Sequence, residues 1–558
     1  MYARFIRWAS DRLGERGVIA FVSNNSFIDA RAYDGFRKVV ADEFSAIYIV
    51  DLKGNSRVSG KRARREGGNV FGVRVGIAVW FFVRAPATGP CRIYYIGVDD
   101  YLKAADKKAF LRENRLADLP FEHIIPNANH TWINQPETAW DDLLPLGTKA
   151  TKGARARYNG DAICRLFTLG VSTNRDEWVL DPDRDALTRK ITFFIERFAR
   201  QAEKLETTDP DQAGQHLNYA IKWSDSLKDD LLRQRGRAEF TPELLLPMLY
   251  RPFVTRWYYA EKRFSDRLTA NHYEMFGPDL QQPNAVIAVN VGNRPFNVLA
   301  SKRLVDLHFN GDAQCFPRYV YAADGARQDN LTDWAVEQFV AHYPDLSGLS
   351  DLTGLKDQIF AYVYAVLHAP AYREKYALNL KREFPRIPFY DDFAQWAAWG
   401  QQLLDLHLHF ETATPYPLRR VDTLSPKSGE GRGGVTPSPE SGEGRGGVAP
   451  SPESGEGRGG GIPKPKLTSD AEARTITLDT ETTLHDVPPE AWEYVLGNRA
   501  AIDWVLYYYK ERKPRDPTIR EQFDTYRFAD YKETVIDLLQ RVVTVSVETI
   551  ALIAAMRG

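Results

Sequence analysis

Apolar residues recur along the first hundred positions with two alternating periods. Between Tyr2 and Leu13, the residues Phe5, Ile6, Ala9 and Leu13 fall on one side of a helix, which Gly14 and Gly17 end. Val18-Ile19-Ala20-Phe21-Val22 is a short continuous apolar run, the mark of a strand buried on both faces. Ser23-Asn24-Asn25-Ser26 predicts a turn. A second helix is expected over 31–44, a second buried strand over 46–52, a third strand over 75–83 and a fourth over 92–96. Helices alternating with buried strands predict an α/β sheet.

Beyond residue 100 the periods mix. Helical spacing recurs over 188–205, 357–367 and 393–408, and short aromatic strands are expected over 285–291 and 318–321, an α+β pattern. Residues 425–463 differ in kind. They are three near-copies of a 13-residue unit, the first being Ser425-Pro-Lys-Ser-Gly-Glu-Gly-Arg-Gly-Gly-Val-Thr-Pro437. Such a unit has too little apolar surface to offset its ordering entropy, so a disordered surface insertion is expected, with an arginine–glycine nucleic-acid segment as the alternative. Regular structure is expected to resume with a strand over 475–479 and with helical stretches from Pro489, over 500–510 and over 532–543, followed by an apolar segment to Met556.

Composition narrows the function classes. Lys and Arg number 73 and Asp and Glu 74, a formal net charge of -1 over 558 residues. This excludes a wholly cationic nucleic-acid coat and an acidic disordered chain, and leaves room for a local basic face. Aromatic residues make up 12% of the chain, which suits stacking surfaces as well as a core. The three cysteines, Cys91, Cys164 and Cys315, are far apart, so no zinc knuckle, iron–sulfur site or disulfide framework is encoded, and their usage fits a reducing cytoplasmic setting. No run of 18 apolar residues and no signal peptide is present, so no membrane partner is expected. His368, His407 and His409 have no acid and nucleophile arranged around them. Asp99-Asp100 and Asp391-Asp392 lack a nuclease-like partner, and no Walker A string occurs.

Basic residues cluster in two places. Lys53, Arg57, Lys61, Arg62, Arg64 and Arg65 stand within thirteen positions without an acid, either as a phosphate clamp or as a solvated loop. From Tyr250 to Arg267, the residues Arg251, Arg256 and Arg263 interleave with Phe253, Trp257, Tyr258 and Tyr259. They read either as DNA-contacting arginines among stacking rings or as an amphipathic strand pair with core aromatics. Asn293, Arg294, Lys302 and Arg303 are second-rank DNA-binding candidates. Asn24 and Ser26 follow a buried strand, where doubly wound sheets place ligands; they are pocket candidates or simple turn formers.

Several strings carry a resemblance to a known family. They are Phe5-Ile6-Arg7-Trp8-Ala9, Gly17-Val18-Ile19-Ala20-Phe21-Val22-Ser23-Asn24-Asn25-Ser26-Phe27, Asp51-Leu52-Lys53-Gly54-Asn55 and Asn69-Val70-Phe71. Together they resemble the second half of an amino-methyltransferase domain of the Type ISP restriction–modification enzymes, which methylate adenine N6 in DNA. Tyr250-Arg251-Pro252-Phe253, the run from Leu367 to Tyr376, Phe384-Pro385-Arg386-Ile387-Pro388 and the run from Trp492 to Arg499 resemble that family's C-terminal specificity region. The glycine-rich cofactor turn and the Asn-Pro-Pro-Tyr string of such enzymes are absent; the one Pro-Pro, in Asp486-Val487-Pro488-Pro489-Glu490, lacks the aromatic.

The resemblance implies a partial Rossmann-like methyltransferase half over 1–100, followed by an α+β DNA target-recognition domain over 101–424. The insertion at 425–463 and a mostly helical end of the specificity domain over 464–558 complete it. It implies double-stranded DNA as partner, a methyltransferase, translocase or nuclease portion on another chain, and S-adenosylmethionine as cofactor of the full enzyme, not held by this chain alone. Phe71 is then the base-stacking residue, pressed on an extruded adenine, or else a core ring at the start of a strand. No catalytic residue and no metal ligand is assigned, and the chain is expected to be inactive by itself. A stand-alone specificity subunit and the remnant of a broken gene are the alternatives.

Overall fold

The computed structural model describes residues 2–55, 69–86, 89–99, 102–135, 138–153, 161–205, 217–232, 238–292, 295–348, 351–423 and 463–557. The chain divides into two compact units, Met1–Asp142 with Lys375–Glu383, and Leu143–Glu374 with Phe384–Gly558.

The first unit opens with α1 (Tyr2–Ser10) and β1 (Gly17–Asn24), then α2 (Asp34–Glu43), β2 (Ala46–Lys53), β3 (Ile77–Arg84), β4 (Arg92–Gly97), α3 (Ala104–Glu113) and β5 (Glu122–Ile124). The five strands form one sheet in the order β1-β3-β2-β4-β5. β3 is antiparallel to both β1 and β2, so those two run parallel with β3 inserted between them, and β4 is parallel to β2. The core beneath holds Ile19, Ile47, Ile49, Trp80, Phe82 and Trp132, with Phe27 stacked on Trp80 at 3.9 Å. Arg37 is buried there, donating to the carbonyls of Phe27, Ala30 and His130.

The expectation of burial on both faces holds for β2 and fails for β1. Ile19 and Ser23 are buried, while Val18 is 60% and Val22 51% exposed. The reason is position: β1 ends the sheet order, and an apolar run cannot show whether a neighbour exists to cover its second face. The helix expected over 31–44 is a 3-10 turn followed by α2.

The second unit contains β6 (Thr168–Leu169), β7 (Leu180–Asp181), α4 (Arg184–Leu205), β8 (Leu245–Arg251), β9 (Val254–Tyr259), β10 (Val286–Asn290), β11 (Val298–Ser301) and β12 (Ala313–Pro317). It continues with α5 (Leu352–His368), α6 (Phe393–Leu408), β13 (Arg419–Asp422), β14 (Pro465–Asp470), β15 (Thr475–Asp479), β16 (Thr482–His485), α7 (Ala501–Tyr508), α8 (Pro517–Gln522) and α9 (Phe528–Ala555). Its larger sheets have the orders β7-β9-β8, β11-β10-β12-β6 and β13-β16-β15-β14. The helices α5 and α6 pack closely: a Cβ on Gly400 would fall 1.8 Å from the Ala361 carbonyl oxygen, so glycine is required there.

The helical stretch and apolar segment expected toward the end merge into α9, which is long and apolar enough to cross a membrane by length and composition alone. Its residues Val535, Ile536, Leu539, Val542, Val543 and Val545 are buried in the core of this unit, so the helix packs one apolar face against that core. The repeat lies outside the described residues except for Pro463.

Candidate nucleic-acid interface

The parallel strands β1, β2 and β4 end at one rim of the first sheet. Asn24 and Lys53 both pair with Ile77, one from each side, so the ends of β1 and β2 flank the start of β3. Register slips between Asp51 and Lys53, and Lys53 takes a left-handed φ of 52°, which turns the chain out of the sheet into Gly54. The Asn24–Ser26 turn is closed by its own side chain, the Ser26 N–H donating to Asn24 Oδ1 at 2.6 Å. Gly76 lies so near this turn that a Cβ would sit 2.5 Å from the Asn25 amide.

A second turn stands beside the first. Asn69 Oδ1 accepts from the Phe71 N–H at 2.8 Å, and the Asn69 amide donates to the Val75 carbonyl. Val70 packs inward against the cluster of Val50, Leu52, Ile77 and Val98. The next side chain therefore points outward, and the Phe71 ring is 62% exposed. Of the two readings of Phe71, the buried one does not describe this geometry; an exposed ring on a pinned turn has a free π-face. Asn24 and Ser26 belong to the same rim, with the Asn24 carboxamide serving the turn.

The rim also holds a residue group that sequence patterns do not reveal. Asp51 Oδ1 accepts from Asn25 Nδ2 at 2.9 Å and from the Lys53 N–H at 3.0 Å, while Oδ2 accepts from the Tyr95 hydroxyl at 3.1 Å. Burial pushes the Asp51 carboxyl above the usual carboxylate range, against the pull of those donors. The available signal was an acid at the end of a buried strand. Its partners, 26 and 44 positions away in sequence, could not be inferred from it.

Lys53 is the member of the basic run placed at this rim; Arg57, Lys61, Arg62, Arg64 and Arg65 lie outside the described residues, as do Asn293 and Arg294. In the second unit, the expectation that Arg251 and Arg256 contact DNA meets burial. The Arg251 side chain is 8% exposed. It donates to Asp306 Oδ1 at 2.5 Å and to the Tyr508 hydroxyl at 3.0 Å, and lies 3.8 Å over the Tyr250 ring. Desolvation pushes the Asp306 carboxyl up to about 6, although Arg251 opposes it. Arg256 donates to the Thr255 and Tyr508 carbonyls and stacks 4.5 Å from the Tyr509 ring. Both arginines hold the β8–β9 hairpin against α7, and their donors are turned inward. The aromatics Phe253, Tyr258 and Tyr259 are core residues, as the alternative reading has it.

Arg263 is half-buried with its Nε 3.6 Å from the Asp230 carboxylate. Arg303 pairs with Glu411 at 2.7 Å, and Lys302 beside it is exposed. Another cationic and aromatic group on this unit is Arg499, Tyr507 and Arg512; its signal in the sequence is the run Tyr507-Tyr508-Tyr509-Lys510-Glu511-Arg512-Lys513, which lies outside the two basic clusters. Among the described residues, no group of His, Cys, Asp and Glu is placed to hold a metal ion.

The comparisons bear on both units. The model of the Type ISP C-terminal specificity domain matches residues 162–538. The chain of the DrdV–DNA complex is 40% identical, with a TM-score of 0.80 over 99% of this chain and 52% of its own. A nuclease-deletion mutant of the Type ISP restriction–modification enzyme LlaGI, in complex with a DNA substrate mimic, is 28% identical, with a TM-score of 0.74 over 99% of this chain and 47% of its own. The ATP-dependent Type ISP enzyme LlaBIII bound to DNA is 25% identical, with a TM-score of 0.75 over 100% of this chain and 34% of its own. The chain thus spans about half, or less, of the solved proteins it matches. No curated protein matches it. By the match over most of its length, this chain belongs to the Type ISP restriction–modification family and carries that family's C-terminal specificity domain.

Proposed function

We propose that this chain reads a site on double-stranded DNA for adenine-N6 methylation within a restriction–modification enzyme. In this reading, residues 1–100 are the C-terminal half of a Rossmann-like adenine methyltransferase domain. Residues 101–424 and 464–558 are the target-recognition part, interrupted by the insertion at 425–463. The observation that carries the reading is the rim: an exposed Phe71 beside the carboxyl ends of parallel strands, where α/β sheets bind ligands. There Phe71 stacks on one face of an adenine extruded from the duplex. Lys53 opens the basic run whose charges neutralise the flanking phosphates. Among the described residues β1 ends its sheet and its Val18 and Val22 are exposed, which supports the half-domain reading, since a sheet whose further strands and covering helices lie on another polypeptide leaves such an edge and face.

S-adenosylmethionine does not fit the residues present. The turn after β1 is Ser23-Asn24-Asn25-Ser26 and not a glycine-rich turn. Asp51, the kind of strand-end acid that takes a ribose diol, already has both oxygens engaged by Asn25, Lys53 and Tyr95. In this reading the cofactor is held by the missing portion.

The experiment is complementation. The chain is combined with the part of a DrdV-like enzyme that it does not cover, and transfer of a labelled methyl group to adenine in duplex DNA is measured. Transfer that requires both parts is expected; a folded, DNA-bound assembly that methylates no adenine contradicts the reading.

A further inference from the structure

The end of α7 and the loop to α8 carry an arginine–tyrosine group. The Arg499 and Arg512 guanidinium carbons lie 3.6 and 3.9 Å from the Tyr507 ring centroid, one cation from before α7 and one from after it. Tyr507 meets Tyr508 edge-on at 5.0 Å, and Tyr508 stacks with Trp504 at 5.8 Å, so the sandwich rests on an aromatic base. Arg499 and Arg512 together hold the Tyr507 hydroxyl below its usual range.

The loop continues the cationic surface. Arg512, Lys513, Arg515 and Arg520 are all exposed. Arg512 Nη2 donates to the Tyr507 carbonyl at 3.0 Å; Arg520 donates to the Pro514 carbonyl at 2.9 Å and the Arg515 carbonyl at 3.2 Å. Each contact uses one or two of five guanidinium donors, leaving others for a ligand while fixing the side chain. An arginine ordered in advance loses less entropy when it binds.

Two of the acids interleaved with these cations, Glu511 and Asp516, also serve the fold, while Glu521 beside Arg520 is exposed. Glu511 accepts from the Phe528 N–H at the start of α9 at 2.7 Å. Asp516 caps α8 by accepting from the Thr518 and Ile519 N–H groups, and its second oxygen accepts from Trp178 Nε1 at 2.8 Å. Glu177 accepts from the backbone of Arg515 and Asp516. Over 511–521 the exposed cations Arg512, Lys513, Arg515 and Arg520 thus outnumber the exposed acids Glu511 and Glu521, a surface of positive excess.

We infer that Arg499, Arg512, Arg515 and Arg520, with Tyr507 as their rigid support, form a contact surface for the phosphate backbone of duplex DNA. The inference rests on the proposed reading of the chain as a DNA-recognition protein. Guanidinium forks match phosphate oxygens bidentately, and the surface offers two of them on the loop, Arg512 and Arg515, with Arg499 before α7 and Arg520 on α8. Phosphate contacts of this kind set the register of a protein on its duplex without reading bases.

The test is a salt titration of duplex binding by the full chain, using a labelled duplex of about 30 base pairs between about 50 and 200 mM salt. The double variant Arg512→Gln with Arg520→Gln is compared with the unsubstituted chain. Arg327→Gln serves as a matched control, because Arg327 is an exposed arginine over a tyrosine elsewhere, 4.4 Å from Tyr319. The double variant is expected to bind more weakly, with a log K against log salt slope shallower by about 2, and the control to behave as the unsubstituted chain. If the double variant does not fold, Arg515→Gln alone is expected to lower the slope by about 1. An unchanged slope in a folded variant overturns the inference. Failure of the unsubstituted chain to bind duplex at the lowest salt overturns the DNA-recognition reading as well.

Discussion

At the scale of single residues, Phe71 and Asp51 divide the work of the first rim. Phe71 gains little from the fold, being exposed on a turn that Asn69 and Val70 hold in place. Phe71→Ala is therefore expected to change stability by no more than about 0.5 kcal/mol. In the complemented enzyme the same change should weaken the extruded-base state by about 1–3 kcal/mol, the range for base–aromatic stacking, while duplex binding persists. Phe71→Trp should retain methyl transfer. Melting temperature and methyl transfer measured side by side decide it: unfolding by Phe71→Ala, or undiminished methylation, contradicts the assignment.

His272 offers a different check, on the second unit. Its Nδ1 accepts from the Thr269 N–H at 3.0 Å and its Nε2 lies 3.0 Å from the Leu169 carbonyl, an arrangement that suits the neutral ring with the proton on Nε2. Burial pushes its pKa from 6.5 down to about 4. The unfolded chain therefore binds this proton more readily, so the stabilisation is present above pH 6.5 and is lost as pH falls toward 4, by about 3 kcal/mol at most. The difference in melting temperature between the unsubstituted chain and His272→Gln should shrink across that interval; a difference independent of pH contradicts the neutral buried ring. None of this was legible from the lone histidine, because its burial comes from elements far apart in sequence. The same holds for Arg251. Its type suggested DNA, and its partner Asp306 stands 55 positions away.

At the scale of elements, the longest periodic segments were the most legible. The helix expected over 393–408 is α6 with the same ends, because two turns or more of apolar spacing leave little choice of structure. Strand identity was also readable, but strand burial was not: β1 and β2 carry similar apolar runs, and only their places in the sheet separate them. The insertion can be tested through its anchors. β13 and β14 are the two outer strands of their four-stranded sheet, so they stand about three strand spacings, or about 14 Å, apart. Joining residues 424 and 464 directly would stretch the chain nearly straight. Replacing 425–463 by a flexible linker of about six residues should instead shift stability by only about 1 kcal/mol, since closure entropy varies slowly with length. A larger loss in melting temperature would show that the repeat makes contacts the fold needs.

At the scale of the whole molecule, near-neutral charge conceals an uneven surface. Some acids are engaged in a cap or a buried pair, as at Asp516 and Asp306, while cations such as Lys302, Arg512 and Arg515 remain outside. Net charge therefore says little about partners here, and the family strings said more, because they preserve which residues stand together. The central claim is that this chain selects a DNA site. The direct measurement is selection from a pool of randomised duplexes by the purified full chain at physiological salt. The account predicts enrichment of one short motif containing adenine, bound at least about 10³-fold more tightly than unrelated duplex. Recovery of a pool indistinguishable from the input would contradict it.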